Sequence, residues 1–437
     1  MHSLNFPPGF RWGAATSAFQ IEGATRTGGR GPSIWDTFTA TPGKVARGEH
    51  ADVAADHYHR HAEDVRLLAT LGAHAYRFSL AWPRIQPTGK GAANPEGLAF
   101  YDRLLDELCA AGIEPVATLY HWDLPQPLED AGGWLARDTA ERFAEYAAIA
   151  GEHFADRVAM WIPVNEPMVT TVYGYATGEY APGRALLLGA VPTAHYQHLA
   201  HGLAVRALRA VGARSVGTAN NHSPVWPVTE ADRPAAGRLD ALLNRLYADP
   251  VLLGSYPDEF AEYLPQGHAD DLPVISAAID FYGVNYYEPQ AAAAPGEGNP
   301  LPFEPRPVEG YPMTANGSPI VPDAFRELLV SLDGRYGAAL PPVYVTENGC
   351  AFADEVGADG AVHDRARIDF LARHLAALRE AMEAGVDVRG YFVWSLLDNF
   401  EWAKGYGPRF GLVHVDYETQ RRTPKDSFAW YRAVIRG

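Results

Sequence analysis

At 437 residues, 47% of them hydrophobic, the chain carries enough apolar material for two or three ordinary domains or for one elaborated α/β barrel. Its 36 basic and 53 acidic residues leave a net charge of −17, which repels phosphate backbones and anionic lipid and argues against nucleic-acid or membrane partners. No run approaches the ~18 apolar residues of a membrane span. The opening Met1-His2-Ser3-Leu4-Asn5-Phe6-Pro7 has neither a basic segment nor an apolar core, so no secretory signal is expected. Two cysteines, Cys109 and Cys350, are too few for a disulfide scaffold and fit a reducing cytoplasm.

Apolar runs recur at 10–15, 74–79, 114–120, 158–164, 215–220, 281–287, 343–347 and 388–395, and predict strands. Amphipathic stretches lie between most of them, such as Asp138 to Phe154 and Arg365 to Glu383, with apolar residues at helical spacing. Eight strands alternating with helices predict one (β/α)8 barrel over residues 1–437, with elaborated loops at the carboxyl ends of the strands. An open doubly wound sheet is the rival, but no Gly-rich phosphate loop follows the first strand. The longest irregular stretch, Glu288 to Pro322, is rich in Pro, Gly and Ala. A strand–helix unit follows it, so it reads as an active-site loop rather than a linker.

Barrel enzymes carry their chemistry at the carboxyl ends of strands. The polar residues there are Arg77 on the second strand and His121-Trp122 on the third. Asn165-Glu166 follow on the fourth, Asn285-Tyr286-Tyr287 on the sixth, Glu347 on the seventh and Trp394 on the eighth. Glu166 ends Trp161-Ile162-Pro163-Val164-Asn165-Glu166-Pro167, and Glu347 lies in Tyr344-Val345-Thr346-Glu347-Asn348-Gly349. Two such carboxylates are the minimum apparatus for cleaving a glycosidic bond, one to donate a proton and one to attack or to activate water. Either alone could equally be a strand-end acid capping a neighbouring helix. Amides, an imidazole and indoles at the same rim suit a sugar: the amides meet hydroxyls, and the indole face packs on a pyranose ring.

With these strings in view the chain resembles family 1 glycoside hydrolases of the bacterial β-glucosidase type along its whole length. The likeness begins at Phe10-Arg11-Trp12-Gly13 and Phe19-Gln20-Ile21-Glu22-Gly23. It continues through Tyr76-Arg77-Phe78-Ser79, Trp82-Pro83-Arg84-Ile85, Tyr120-His121-Trp122-Asp123 and both glutamate motifs. It closes with Trp394-Ser395-Leu396-Leu397-Asp398-Asn399-Phe400-Glu401-Trp402 and Phe410-Gly411-Leu412. The resemblance implies a retaining exo-β-glycosidase without metal or cofactor, acting on small β-glucosides or short oligosaccharides, with β-galactosidase and β-fucosidase side activity. It implies Glu347 as nucleophile and Glu166 as acid/base, with Arg77 and Tyr287 hydrogen-bonded to Glu347. It also implies a glucose-holding set of Gln20, His121, Trp122, Asn165, Glu401, Trp402 and Phe410 above a Trp394 floor. A carboxylate at Glu401 disfavours 6-phosphorylated sugars, because like charges at close range are costly in a low-dielectric site. The chain is expected to act as a monomer or homo-oligomer. A glycoside-remodelling or transglycosylating enzyme of the same fold is the alternative reading, and a non-catalytic sugar binder is disfavoured because both glutamates are present.

Three positions depart from the family's usual pattern. Pro163 stands where Thr is common, removing a backbone donor and predicting altered strand pairing beside Glu166. Met168 and Ser318 stand where Trp is common, so with Tyr173 they mark an aglycone side that has lost flat stacking surface. His57 and His61, at i, i+4 in Asp56-His57-Tyr58-His59-Arg60-His61, have helical metal-ligand spacing but no strand-end partner. Cys350, beside the Glu347 motif, reads as a small buried filler rather than a reactive thiol.

Overall fold

A computed structural model describes residues 6–437; Met1–Asn5, which hold most of the segment judged to lack a signal, lie outside the described residues. Eight strands follow in chain order: β1 (Arg11–Ala15), β2 (Ala75–Ser79), β3 (Glu114–Tyr120), β4 (Met160–Val164), β5 (Gly217–Asn221), β6 (Phe281–Asn285), β7 (Val343–Asn348) and β8 (Val388–Trp394). Their order in the sheet is β4-β3-β2-β1-β8-β7-β6-β5, every neighbour parallel. Parallel strands between helices are buried on both faces, which is why they read as continuous apolar runs rather than alternating ones.

The two outer strands, β4 and β5, meet through single bridges, Trp161 with Val216 and Asn165 with Ala219. The backbone N–H groups of Trp161 and Glu166 donate to Ser215 and Ala219 carbonyls, each at 2.9 Å. Pro163 lies between these two bonds and has no N–H to make the one that would join them. The altered pairing expected at this proline is therefore found at the barrel seam.

The principal helices are α1 (His57–Leu71), α2 (Pro95–Ala110), α3 (Arg137–Phe154), α4 (Val191–Ala210), α5 (His268–Ile275), α6 (Pro322–Tyr336), α7 (Arg365–Glu383) and α8 (Asp426–Arg436). Helix α3 shows why they pack as they do: Phe143, Tyr146, Ala147, Ala150 and Phe154 recur at spacings of three and four and are all buried. Helix α2 begins with Asn94 accepting from the Glu96 N–H and with Pro95 in its first turn, where a missing donor costs nothing. The segment Glu288 to Pro322 is not wholly irregular. Gln290–Ala293 and Glu304–Arg306 form a small sheet with Val225–Pro227, whose short strands and many Pro and Ala residues hide the alternation that would mark it. Among the described residues, no helix is long and apolar enough to cross a membrane.

Candidate active site

The carboxyl ends of the strands surround a cavity of about 510 Å³. Local backbone geometry aims both glutamates into it. Pairing of β7 with β6 passes from Val345 opposite Val284 directly to Glu347 opposite Asn285, so Thr346 is the extra residue of a bulge. Bulges of this kind re-aim the side chain that follows. The Thr346 hydroxyl is held by Asn285 Oδ1. Gly349 then lets β7 close on β8, since a Cβ there would lie 1.7 Å from the Trp394 carbonyl oxygen. Glu166 is left-handed, with φ of 48°, and so are Trp122 (76°) and Trp402 (49°). Such strain in non-glycine residues persists where surrounding structure over-determines it, and it clusters at functional sites.

The two carboxyl groups have opposite surroundings. Arg77, almost fully buried, forms an ion pair with Glu347 Oε1 and also donates to Asn165 Oδ1 at 2.6 Å. The Tyr287 hydroxyl donates to Glu347 Oε2 at 2.6 Å. No cation pairs with Glu166 among the described residues. Its Oε1 accepts from Asn285 Nδ2 at 2.7 Å and from Asn221 Nδ2 at 3.5 Å. Burial, with the Glu347 charge second, pushes Glu166 up to about 8, against the smaller opposing pull of Asn285 and Arg77. A carboxyl so placed keeps its proton at neutral pH.

Around this pair, His121 is held well below its usual range, first by burial and then by the Arg77 charge, so its ring is neutral. Its Nε2 lies 3.2 Å from Asn165 Nδ2 and therefore accepts, which leaves the proton on Nδ1. The ring stacks between Trp394 (5.8 Å) and Trp402 (5.9 Å). Trp122 Nε1 donates to the Asn165 carbonyl at 3.0 Å. Phe410 meets the Tyr287 ring edge-on at 6.3 Å. Burial raises Glu401 to about 7, with Lys404 opposing and Glu347 adding to the rise.

The model of glycosyl hydrolase family 1 matches residues 2–437. The chain belongs to glycosyl hydrolase family 1. It is 51% identical to a thermostable beta-glucosidase B of Thermobispora bispora, over 99% of this chain and 91% of the relative. It is 46% identical to a bifunctional beta-D-glucosidase/beta-D-fucosidase of Bifidobacterium breve, over 99% and 98%. Among solved structures, a Thermotoga maritima beta-glucosidase in complex with deoxynojirimycin superposes with a TM-score of 0.94 at 44% identity, covering 99% of this chain and 98% of that one.

In this family 1 protein His121, Trp122, Glu166, Met168, Tyr173, Tyr287, Ser318, Glu347, Trp394, Glu401, Trp402 and Phe410 all line the cavity. Arg77, Asn165 and Gln20 are not among its lining residues. Arg77 is ion-paired with Glu347, and Asn165 is held by Arg77, Asn285 and His121. The Gln20 amide nitrogen is taken up by Asn399 Oδ1 (3.0 Å), the Phe400 carbonyl (3.0 Å) and Glu401 Oε2 (3.3 Å), so it braces Glu401. Tyr286 points away, its hydroxyl on the Val321 carbonyl and its ring stacked on Phe325. His57 and His61 pair with different carboxylates, Asp64 and Glu107. Cys350 is buried, and burial lifts its thiol to about 12, which makes it unreactive. Sequence reading missed Asn221, Tyr180, Glu288 and Lys404 as cavity residues and gave Asn285 no role. Asn285 and Asn221 carried a signal, each being an amide at the carboxyl end of a strand; Tyr180 and Glu288 sit in unpatterned loops, and Lys404 ends a single 3-10 turn, Trp402–Lys404.

Proposed function

We propose that this family 1 hydrolase is a retaining exo-β-glucosidase in which Glu347 is the nucleophile and Glu166 the acid/base. The contrast between the two carboxyl environments carries the reading: one is ion-paired and oriented by Arg77 and Tyr287, the other is buried, unpaired and protonated. In the first step Glu166 gives its proton to the glycosidic oxygen as Glu347 attacks the anomeric carbon, forming a glycosyl ester and releasing the aglycone. Esterification removes the Glu347 charge that helps hold Glu166 protonated, so Glu166 now takes a proton from water. That water attacks the anomeric carbon, and Glu347 leaves with the β configuration restored.

Asn165 is oriented by Arg77 and Asn285 for the 2-hydroxyl, whose hydrogen bonds strengthen in an oxocarbenium-like transition state. His121, Trp402 and Glu401 serve the 3-, 4- and 6-hydroxyls over the Trp394 floor. Galactosides and fucosides are expected as side substrates. The chain works as one catalytic domain, as a monomer or homo-oligomer, and its two unpaired cysteines suit a cytoplasmic setting.

Met168 and Ser318 bound the leaving-group side together with Tyr173. Each lost aromatic stack is worth about 0.5–1.5 kcal/mol. Losing two should weaken cellobiose binding by roughly one to two orders of magnitude, so aryl or other apolar β-glucosides should be preferred over cellobiose in kcat/KM. Kinetics on nitrophenyl β-glycosides, cellobiose and a bulky apolar β-glucoside test this. Hydrolysis of none of the β-glycosides would end the glucosidase reading, and cellobiose turned over as well as the apolar glucoside would end the aglycone assignment.

A further inference from the structure

Glu288 directly follows Tyr287 and lines the same cavity as Met168, Tyr173 and Ser318. It is half-buried, and its Oε1 has one long hydrogen bond, from Gln290 Nε2 at 3.4 Å; burial disfavours its anion, against the smaller opposing pull of the Ser318 hydroxyl and the more distant Lys404 charge. Among the described residues no arginine, lysine or histidine stands within ion-pair distance of it, whereas Glu347 in the same cavity has Arg77. Lys404, the cation that also lines the cavity, donates to the Asn316 carbonyl at 2.7 Å and pairs with no carboxylate. The remaining acid near this side, Glu179, is exposed and adds charge of the same sign as Glu288. A carboxylate partly withdrawn from water and left unpaired attracts a cationic hydrogen-bond donor and repels an anion. The chain's net charge of −17 acts in the same direction.

Resting on the glucosidase reading, we infer that Glu288 is a specificity-determining residue that selects β-glucosides whose leaving group carries a protonated amine. The aglycone body would pack on Met168 and Tyr173, and its ammonium group would meet the Glu288 carboxylate. Neutral hydroxyls would be accepted more weakly, because they bring no opposite charge to add Coulomb attraction to the hydrogen bond.

The test compares three glucosides of similar size, with para-aminomethylphenyl, para-methylphenyl and para-carboxyphenyl leaving groups, at neutral pH and low salt. Native protein and Glu288→Gln are assayed on all three, so the leaving groups' intrinsic reactivities cancel in the ratio of ratios. The preference in kcat/KM for the ammonium over the carboxylate glucoside is expected to fall by about fivefold to tenfold in Glu288→Gln and to shrink for the native protein in ~1 M salt. Glu288→Asp, which keeps the charge on a shorter stem, should retain the sign of the preference. Hydrolysis with ratios unchanged between native protein and Glu288→Gln overturns the inference alone. Failure of all three glucosides with native protein overturns the glucosidase reading and this inference together.

Discussion

Two glutamates of the same chemistry become an acid and a nucleophile through their neighbours. Arg77 and Tyr287 spend their donors on Glu347, while Glu166 is left with amide donors in a buried setting that lifts it to about 8. An acid must be protonated to act, so kcat/KM for substrates with poor leaving groups should fall as pH rises through about 8. Glu166→Ala should abolish that limb and lose on the order of 10²–10⁴ in rate on alkyl glucosides, with a much smaller loss on dinitrophenyl glucosides, whose leaving groups need no proton. Equal losses on both classes, or an unmoved limb, would show that Glu166 is not the acid. These glutamates were legible in the sequence because each ends an apolar run beside Asn and Pro or Gly. Glu288 was legible only as the first residue of an active-site loop, without a role of its own. Its loop has no hydrophobic period, and its exposure to the cavity depends on a fold set by distant residues.

Among the elements, β7 and α4 show what packing adds. The bulge at Thr346 turns Glu347 into the cavity, and it shows only when β7 pairs with its neighbours, β6, with Asn285 61 residues from Thr346, and β8, where the register also shifts between Val345 and Asn348. A single strand read by itself cannot reveal it. Pro163 was different: a missing N–H is a property of the residue, so a broken ladder could be expected from the sequence and was found at the β4–β5 seam. Helix α4 buries His195, His198 and His201. Burial holds His201 at about 4 and His198 well below its usual range, and both His201 ring nitrogens lack a protein partner. The folded-state pKa lies below the unfolded value of 6.5, so the unfolded chain takes up the proton first. Stability is therefore complete above pH 6.5 and is lost as pH falls toward 4, by on the order of 2–3 kcal/mol for such a histidine. Denaturant unfolding of His201→Leu should show a shallower loss over that range than the native protein. An identical slope would contradict this account of α4.

At the scale of the whole molecule, eight parallel strands bring residues from His121 to Phe410 to one rim, and the site is complete only once the barrel closes. Strand number, strand ends and the ordered motif strings were readable because a parallel barrel repeats one unit and places polar residues where each apolar run stops. The small sheet of Val225–Pro227, Gln290–Ala293 and Glu304–Arg306 was not readable, since its strands are three or four residues long and are joined only in space. The central claim is a double displacement through an ester on Glu347, and the stereochemistry of a rescued product tests it most directly. Glu347→Gly should be inactive on 2,4-dinitrophenyl β-glucoside until azide is added, and NMR should then show α-glucosyl azide, formed by one inverting attack in the space the carboxylate has left. Full activity without azide, or β-glucosyl azide as the product, would contradict the assignment.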